Sequence, residues 1–407
     1  MLPTEEKFNL ITRQQAFLSD ADRDSLRTLL ARREAEGQTP LKLAWETTPT
    51  GKRRSPSAIQ SEAKSTRLAN QCHAALTAHV GYFVPLAKLI DFLRAGLDVT
   101  VYYLDVYGFL VNYVHSMETV AHRQRYYDFL VRAILAALGV PPAHVNFIAE
   151  SSIAYQKDFV VDTQRLCALM TQKDARDTSD EVAETKMLSP MLCAVHQSLS
   201  EVYLDLDVQY GGIDQTGLFE HAKHFIPALG YRQREHLMNT MVAGLDGLKM
   251  SSSKPAATKI EFLDAPHVVR AKIDAAACPA AQVEHNGVLG LVRDVLLPIS
   301  VQRVERLAGQ TGLYTAEGKE VNSNQRPFCA KDAPSGTAWT VFGEEAPKHF
   351  SSYEELEEAF VKDEVSPEDL KEATIEAFNR LLSPIRSIYA QSKEWQEVDR
   401  LAYPDGN

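Results

Sequence analysis

Cysteine is scarce in this 407-residue chain, and its five cysteines (Cys72, Cys167, Cys193, Cys278 and Cys329) include no close-spaced pair. That spacing speaks against a zinc site or a disulfide framework, so no structural metal is expected and a reducing, cytoplasmic setting fits best. Long apolar runs are missing as well. None reaches the roughly 20 residues that a bilayer span requires, and the acidic, amphipathic N-terminus does not read as a secretion signal. There is no internal repeat and no low-complexity tract. Basic charge is in deficit, with 43 Lys and Arg against 54 Asp and Glu for a net charge of −11. This argues mildly against a nucleic-acid partner, because phosphate contacts need basic surface, but a local patch can sit on an acidic protein. What is present is ordinary globular material, 45% apolar and 24% charged, in a length that predicts two or three domains.

Along the chain, residues 5–36 carry a helical pattern with Asp20 or Asp22 as caps, and Leu41 to Trp45 reads as a short strand. The run from Thr47 to Lys52 is a turn-rich loop. Residues 53–77 are basic and polar first and weakly helical later, with no apolar stripe. From His79 to Arg94, Leu86, Leu89, Ile90 and Leu93 recur at helical spacing, with Gly96 as the stop. Val99 to Val106 reads as a buried strand, Met117 to Leu138 as a long helix closed by Gly139, and His144 to Ile148 as another strand. Helices are expected over Asp158–Met170, Pro190–Tyr203 and Gln215–Leu229, with a strand at Leu206–Gln209. This alternation implies a parallel sheet covered by helices on both faces. After residue 260 the alternation stops and the pattern is mainly helical.

Three stretches carry chemistry. Gly247-Leu248-Lys249-Met250-Ser251-Ser252-Ser253-Lys254 sets a lysine and a hydroxyl cluster between a glycine and the Lys-Pro break at Pro255. Lysine is a mobile point charge and serine hydroxyls add donors, so the loop suits phosphates; a solvated linker is the plain alternative. His79-Val80-Gly81-Tyr82 opens a helix whose N-terminus favours phosphate, with Gly81 admitting a flat purine and His79 able to donate to phosphate. A lone His-x-Gly is more often a surface or capping histidine. Val208 to Gln215 places Gly211 and Gly212 after a strand; an ordinary helix cap would by itself explain Asp214.

Together the His79 element and the serine loop resemble the "HIGH" and "KMSKS" signatures of class I aminoacyl-tRNA synthetases. The wording Lys249-Met250-Ser251-Ser252-Ser253 is similar to that of eukaryotic and archaeal tyrosyl-tRNA synthetases, as are Val208 to Gln215, Ala228 to Tyr231, His236 to Asn239 and Glu284 to Leu289. The resemblance implies an α/β fold, a Rossmann-like doubly wound parallel sheet with a helical C-terminal tRNA-binding domain. Residues 1–260 would be catalytic, with 53–78 an unusual insertion, and 261–407 would bind the anticodon. It implies a cytoplasmic, homodimeric tyrosine–tRNA ligase using ATP and Mg²⁺, with tyrosine and tRNA as partners and no membrane. His79, Lys249, Ser251, Ser252 and Ser253 would be catalytic. Thr50, Gly51, His79, Gly81, Tyr82, Gly212, Asp214, Lys249 and Met250 would hold ATP, and Phe342 would stack on tRNA. Ala44, Cys193, Gln197, Ser200 and Gln215 would hold the amino acid.

The amino-acid pocket departs from the family. Relatives carry Tyr-Trp-Gly where this chain has Ala44-Trp45-Glu46, and Tyr-x-x-x-Gln-x-x-Asp where it has Cys193, Gln197 and Ser200. The two groups that hold the phenol would thus be Ala44 and Ser200, which predicts a larger, less polar far end and weaker discrimination of tyrosine from phenylalanine. A diverged paralogue that adenylates a different or modified amino acid is therefore the second expectation. A non-catalytic RNA-binding or regulatory protein on the same scaffold is the third.

Overall fold

The computed structural model describes residues 2–37, 40–49, 78–112, 115–248, 250, 256–309, 325–343 and 346–404. The described residues form two compact units, one drawn from 1–50, 88–129 and 141–241, the other from 51–87, 130–140 and 242–407.

The first unit is built on a six-stranded sheet of β1 (Gln15–Ala16), β2 (Lys42–Thr47), β3 (Asp98–Tyr103), β4 (Asn146–Ala149), β5 (Val208–Gly212) and β6 (Glu235–Asn239). Their spatial order is β1-β6-β5-β2-β3-β4. All neighbours are parallel except β1, which runs antiparallel to β6. The chain passes from β2 outward through β3 to β4, then returns to the other side of β2 for β5 and β6. The point of reversal lies between β2 and β5, where the carboxyl ends of a doubly wound sheet leave a crevice. Val99 to Tyr103 of β3 are all buried, as a strand covered on both faces must be.

Several sequence expectations shift at their edges. The strand expected to reach Val106 stops at Tyr103, and Val106 lies in a helix, Asp105–Val111. That helix begins because the Tyr107 amide finds an acceptor in Glu150 Oε2 at 2.7 Å, which satisfies one of its unbonded first-turn donors. The cap of helix Asp20–Ala35 is Ser19, whose hydroxyl accepts the Asp22 amide at 3.3 Å, rather than Asp20 or Asp22. The expected helix from Pro190 opens as a 3₁₀ turn, Ser189–Leu192, before Cys193–Tyr203. Strands β1 and β6 were not anticipated.

The second unit is mainly helical. Pro266–Asp274, Leu297–Leu307, Tyr353–Val361, Pro367–Gln391 and Lys393–Ala402 are its longer described helices after residue 260. It also holds an unexpected antiparallel pair, β7 (Trp339–Val341) and β8 (Lys348–Phe350). Trp339 and Trp395 are fully buried.

Candidate active site

In the first unit, helix Cys193–Tyr203 lies against the sheet and presents Cys193, Gln197 and Ser200 at i, i+4 and i+7, one face of a helix. All three are buried. Cys193 packs with Tyr102, Leu104 and Tyr107. Gln197 Nε2 donates to Gln215 Oε1 at 3.3 Å. Ser200 donates from Oγ to Glu46 Oε1 at 2.6 Å. Ala44 is fully buried in β2, in register with Gln209 of β5 and Thr100 of β3. The structure thus brings together Gln197, Gln215 and Ser200, and sets Glu46 beside them.

Glu46 overturns the expectation of a less polar far end. Strand alternation puts its side chain on the same face as that of Ala44, and its Oε2 is buried with no partner among the described residues. Burial raises its pKa well above the ordinary 4.5, and the nearby charges of Glu201 and Glu150 add to the rise against the opposing Ser200 bond. Gln209 comes near enough to favour the ionised form, yet neither of its amide atoms makes a hydrogen bond. The other two carboxyls have partners: Glu150 Oε1 meets His196 Nδ1 at 2.8 Å, and Glu201 Oε1 meets His236 Nε2 at 2.8 Å.

A stability consequence follows from the sign of that shift. The folded chain binds the Glu46 proton more tightly than the unfolded chain does, so folding is favoured at low pH and a penalty develops as pH rises through 4.5 toward the raised folded value. Glu46→Gln, which cannot ionise, should gain on the parent over that window by at most about 1.4 kcal/mol per pH unit. Thermal unfolding of both proteins from pH 4 to 8 checks this; a pH-independent difference in Tm would refute it.

In the second unit, His79 forms an antiparallel bridge with Glu261, and the Val80 amide donates to Ile260 O at 3.0 Å. The His79 side chain caps the short turn Val80–Tyr82, its Nδ1 accepting from the Gly81 amide at 3.2 Å. An accepting Nδ1 places the ring proton on Nε2. Burial, with help from the charge of Lys259, lowers the pKa to about 3, so the imidazole is neutral at pH 7 and donates from Nε2. Gly81 is needed for that cap, because a Cβ there would stand 2.8 Å from the His79 ring. Tyr82 meets His79 edge-on at 5.8 Å between centroids.

The ends of the serine loop are fixed in the same unit. Met250 is buried and its amide donates to Val242 O at 2.8 Å, while Leu245 N donates to Thr258 O at 3.0 Å. Gly247 has φ +72°, and a Cβ on it would lie 2.3 Å from His285 O, so both backbone conformation and space demand glycine. Lys249, Ser251, Ser252 and Ser253 lie outside the described residues. So do Thr50, Gly51 and residues 53–77 of the expected insertion.

Gly212 and Asp214 sit at the carboxyl end of β5. Asp214 is exposed in the turn Ile213–Gln215 and makes no helix-capping bond, so a plain cap does not account for it. A Cβ at Gly212 would stand 2.3 Å from Asp214 Oδ1. Phe342, following β7, is 52% exposed, so it is not a core aromatic.

The sequence reading missed Glu46, Gln209, Tyr102 and Glu150. For Glu46 a signal existed: it stands two residues after Ala44 in a strand and must share its face. Nothing local in the sequence marked the others.

Residues 74–326 match the profile of the tRNA synthetases class I (W and Y). The cytoplasmic tyrosine–tRNA ligase of Saccharomyces cerevisiae is 36% identical over 368 residues, covering 89% of this chain and 80% of that protein. The cytoplasmic tyrosine–tRNA ligase of Xenopus laevis is 34% identical over 414 residues, covering 100% of this chain; the chain spans 65% of that longer protein. Among solved structures, the tyrosyl-tRNA synthetase of Archaeoglobus fulgidus complexed with L-tyrosine aligns with a TM-score of 0.71 at 26% identity, over 95% of this chain and 99% of that one. With the profile matching well over half its length and the yeast protein aligned along most of both chains, the chain belongs to the class I tRNA synthetases of the tryptophan and tyrosine type.

Proposed function

We propose that this protein is a tyrosine–tRNA ligase. Its similarity to curated tyrosine–tRNA ligases along almost the whole chain carries that reading. In the first step a carboxylate oxygen of tyrosine attacks the α-phosphorus of ATP; the bond to the β-phosphate oxygen breaks, leaving tyrosyl-adenylate and diphosphate. In the second, a terminal ribose hydroxyl of tRNA attacks the acyl carbon and AMP leaves. The first step needs positioning and charge stabilisation more than acid–base chemistry. A neutral His79 donating from Nε2 suits the phosphate side, and Lys249 with Ser251, Ser252 and Ser253 would clamp the departing diphosphate. Thr50, Gly51, Gly81, Tyr82, Gly212, Asp214 and Met250 would complete the nucleotide site.

Among the described residues no group of three His, Cys, Asp or Glu could hold a metal ion. Mg²⁺ would come with the ATP phosphates and screen their charge. A cytoplasmic homodimer is proposed, as is a division into a catalytic part, 1–260, and an anticodon-binding part, 261–407. No described helix is long and apolar enough to cross a membrane.

A second reading, a paralogue that adenylates a different amino acid, is favoured by Ala44 and Ser200. ATP–pyrophosphate exchange with each of the twenty amino acids, followed by charging of tRNA, decides between them. Tyrosine-dependent exchange is expected. Exchange with another amino acid alone would favour the second reading, and none at all would favour a non-catalytic scaffold.

Contact with tRNA through the second unit is best tested at Phe342. Cutting the chain at residue 260 would also remove Glu261, the bridge partner of His79, and Phe262, whose ring meets Phe83 at 5.1 Å. Phe342→Ala should weaken tRNA binding by ~1–3 kcal/mol, the worth of one stacked base, while leaving tyrosine-dependent exchange intact. Unchanged tRNA affinity in a filter-binding titration would remove Phe342 from the interface.

A further inference from the structure

One face of the sheet in the first unit carries a group of buried polar atoms that the fold itself does not satisfy. Glu46 of β2 stands in register with Tyr102 of β3, and Ala44 stands in register with Gln209 of β5. Registered residues of neighbouring strands point to the same side of a sheet. Ser200 and Gln197 face them from helix Cys193–Tyr203, as the Ser200–Glu46 bond requires. Tyr102, Gln209 and Ser200 are fully buried and Gln197 is 3% exposed. Among the described residues Glu46 Oε2, Gln197 Oε1, the Tyr102 hydroxyl and both amide atoms of Gln209 have no hydrogen-bond partner.

Leaving so many buried polar groups unpaired is costly, and a protein keeps such a group where something else pairs with it. The set includes acceptors, namely Glu46 Oε2, Gln197 Oε1 and Gln209 Oε1, and donors, namely Gln209 Nε2 and the Tyr102 hydroxyl. An apolar side chain would leave all of them unpaired. An ammonium group, donor only, would leave the Tyr102 hydroxyl and Gln209 Nε2 without an acceptor. A hydroxyl both donates and accepts.

We infer that Glu46 is the residue that reads the hydroxyl of the amino-acid side chain, its Oε2 accepting the hydroxyl proton while Tyr102 or Gln209 donates to the hydroxyl oxygen. The inference rests on the ligase reading above and names a specificity determinant within it. In this arrangement Ser200 is a positioning residue: it has no carboxylate of its own, and its hydroxyl holds Glu46 Oε1 so that Oε2 is left for the substrate. The carboxyl group is supplied by a strand and not by the helix. Burial favours the neutral form of Glu46. A hydroxyl accommodates this too, because it can accept from a protonated carboxyl as readily as it donates to an ionised one.

The test is kcat/KM in ATP–pyrophosphate exchange for tyrosine and for phenylalanine, measured in the parent, Glu46→Gln and Glu46→Ala. The parent should prefer tyrosine by roughly 10⁴–10⁵, as sites built to bond a hydroxyl do. Glu46→Ala should cut that ratio by about 100-fold or more, through a loss on tyrosine with phenylalanine unchanged or improved. Glu46→Gln keeps an acceptor oxygen and should fall between the two. A merely structural role would lower both substrates together. Equal losses on both, or an unchanged ratio in both variants, would overturn the inference while leaving the ligase reading in place. A parent that exchanges only with an amine-bearing or apolar amino acid would overturn it in favour of the paralogue. A parent that exchanges with no amino acid would overturn both.

Discussion

Replacing His79 with alanine should slow tyrosine-dependent ATP–pyrophosphate exchange by about 10²–10³, the usual cost of removing one preorganised donor to a charge-developing transition state. The Gly81 amide occupies Nδ1, which fixes the tautomer, and burial with the Lys259 charge holds the pKa at about 3. His79 is thus a fixed neutral donor, able to stabilise charge on a phosphate without gaining or losing a proton. On the function proposed above, Lys249→Ala should have an effect of similar size from the diphosphate side, because an ammonium there would meet the charge that accumulates on the leaving group. Single-turnover measurement of adenylate formation separates these losses from weaker ATP binding. A further consequence has a definite sign. A group with a pKa of about 3 does not titrate between pH 5 and 8, so any rate limb near pH 6.5 in the parent should persist in a His79→Asn variant that retains activity. Unchanged exchange in both alanine variants would remove both residues from the phosphate chemistry.

The second large effect concerns Ser200. Placing an aspartate at this position should destabilise the protein by about 3 kcal/mol, the scale of an uncompensated buried charge. Ser200 is fully buried, and its hydroxyl donates to Glu46 Oε1. An ionised aspartate cannot donate, and it would set a second carboxylate against Glu46, beside the charges of Glu150 and Glu201 that already raise the Glu46 pKa. Two carboxylates sharing such a site cannot both ionise. Ser200→Asp combined with Glu46→Gly should recover most of the loss, because it removes the competing carboxyl. Denaturant unfolding of the single and double variants tests the coupling. Equal stability of Ser200→Asp and the parent, or no recovery in the double variant, would show that Glu46 and Ser200 do not form one unit.

These two predictions mark what the residues disclosed on their own and what they did not. β3 was legible because Val99 to Tyr103 is a β-rich run buried on both faces, and helix Met117–Leu138 because of its length and its closing Gly139, which adopts φ +83°. β6 was not legible: Glu235-His236-Leu237-Met238-Asn239 has neither alternation nor β-branched residues, and it becomes a strand because β5 offers it a parallel partner. β1 is two residues long and exists only through its pairing with Asn239 and Met238. At the site, the motif residues His79 and Gly81 were readable from local spacing. Glu46 was written in the sequence beside Ala44, but a strand glutamate ordinarily faces water. Its burial depends on Ser200, 154 residues away, and no local pattern can express that.

The strand order also bears on how the chain is made. β2 sits in the middle of the sheet, yet its partner on one side, β5, follows far along the chain; Lys42 N and the Asp207 carboxylate that accepts from it are 165 residues apart. At a synthesis rate of about 5–20 residues per second, β2 waits on the order of ten to thirty seconds on the ribosome before that edge is covered. β3 can pair on its other side much sooner. During the wait, Leu43, Ala44 and Trp45 present an open apolar edge, the kind of surface that recruits other strands or holding chaperones. Glu46, at the end of that edge, still faces water while it waits. The cost of burying that carboxylate therefore arises only when helix Cys193–Tyr203 brings Ser200 against it.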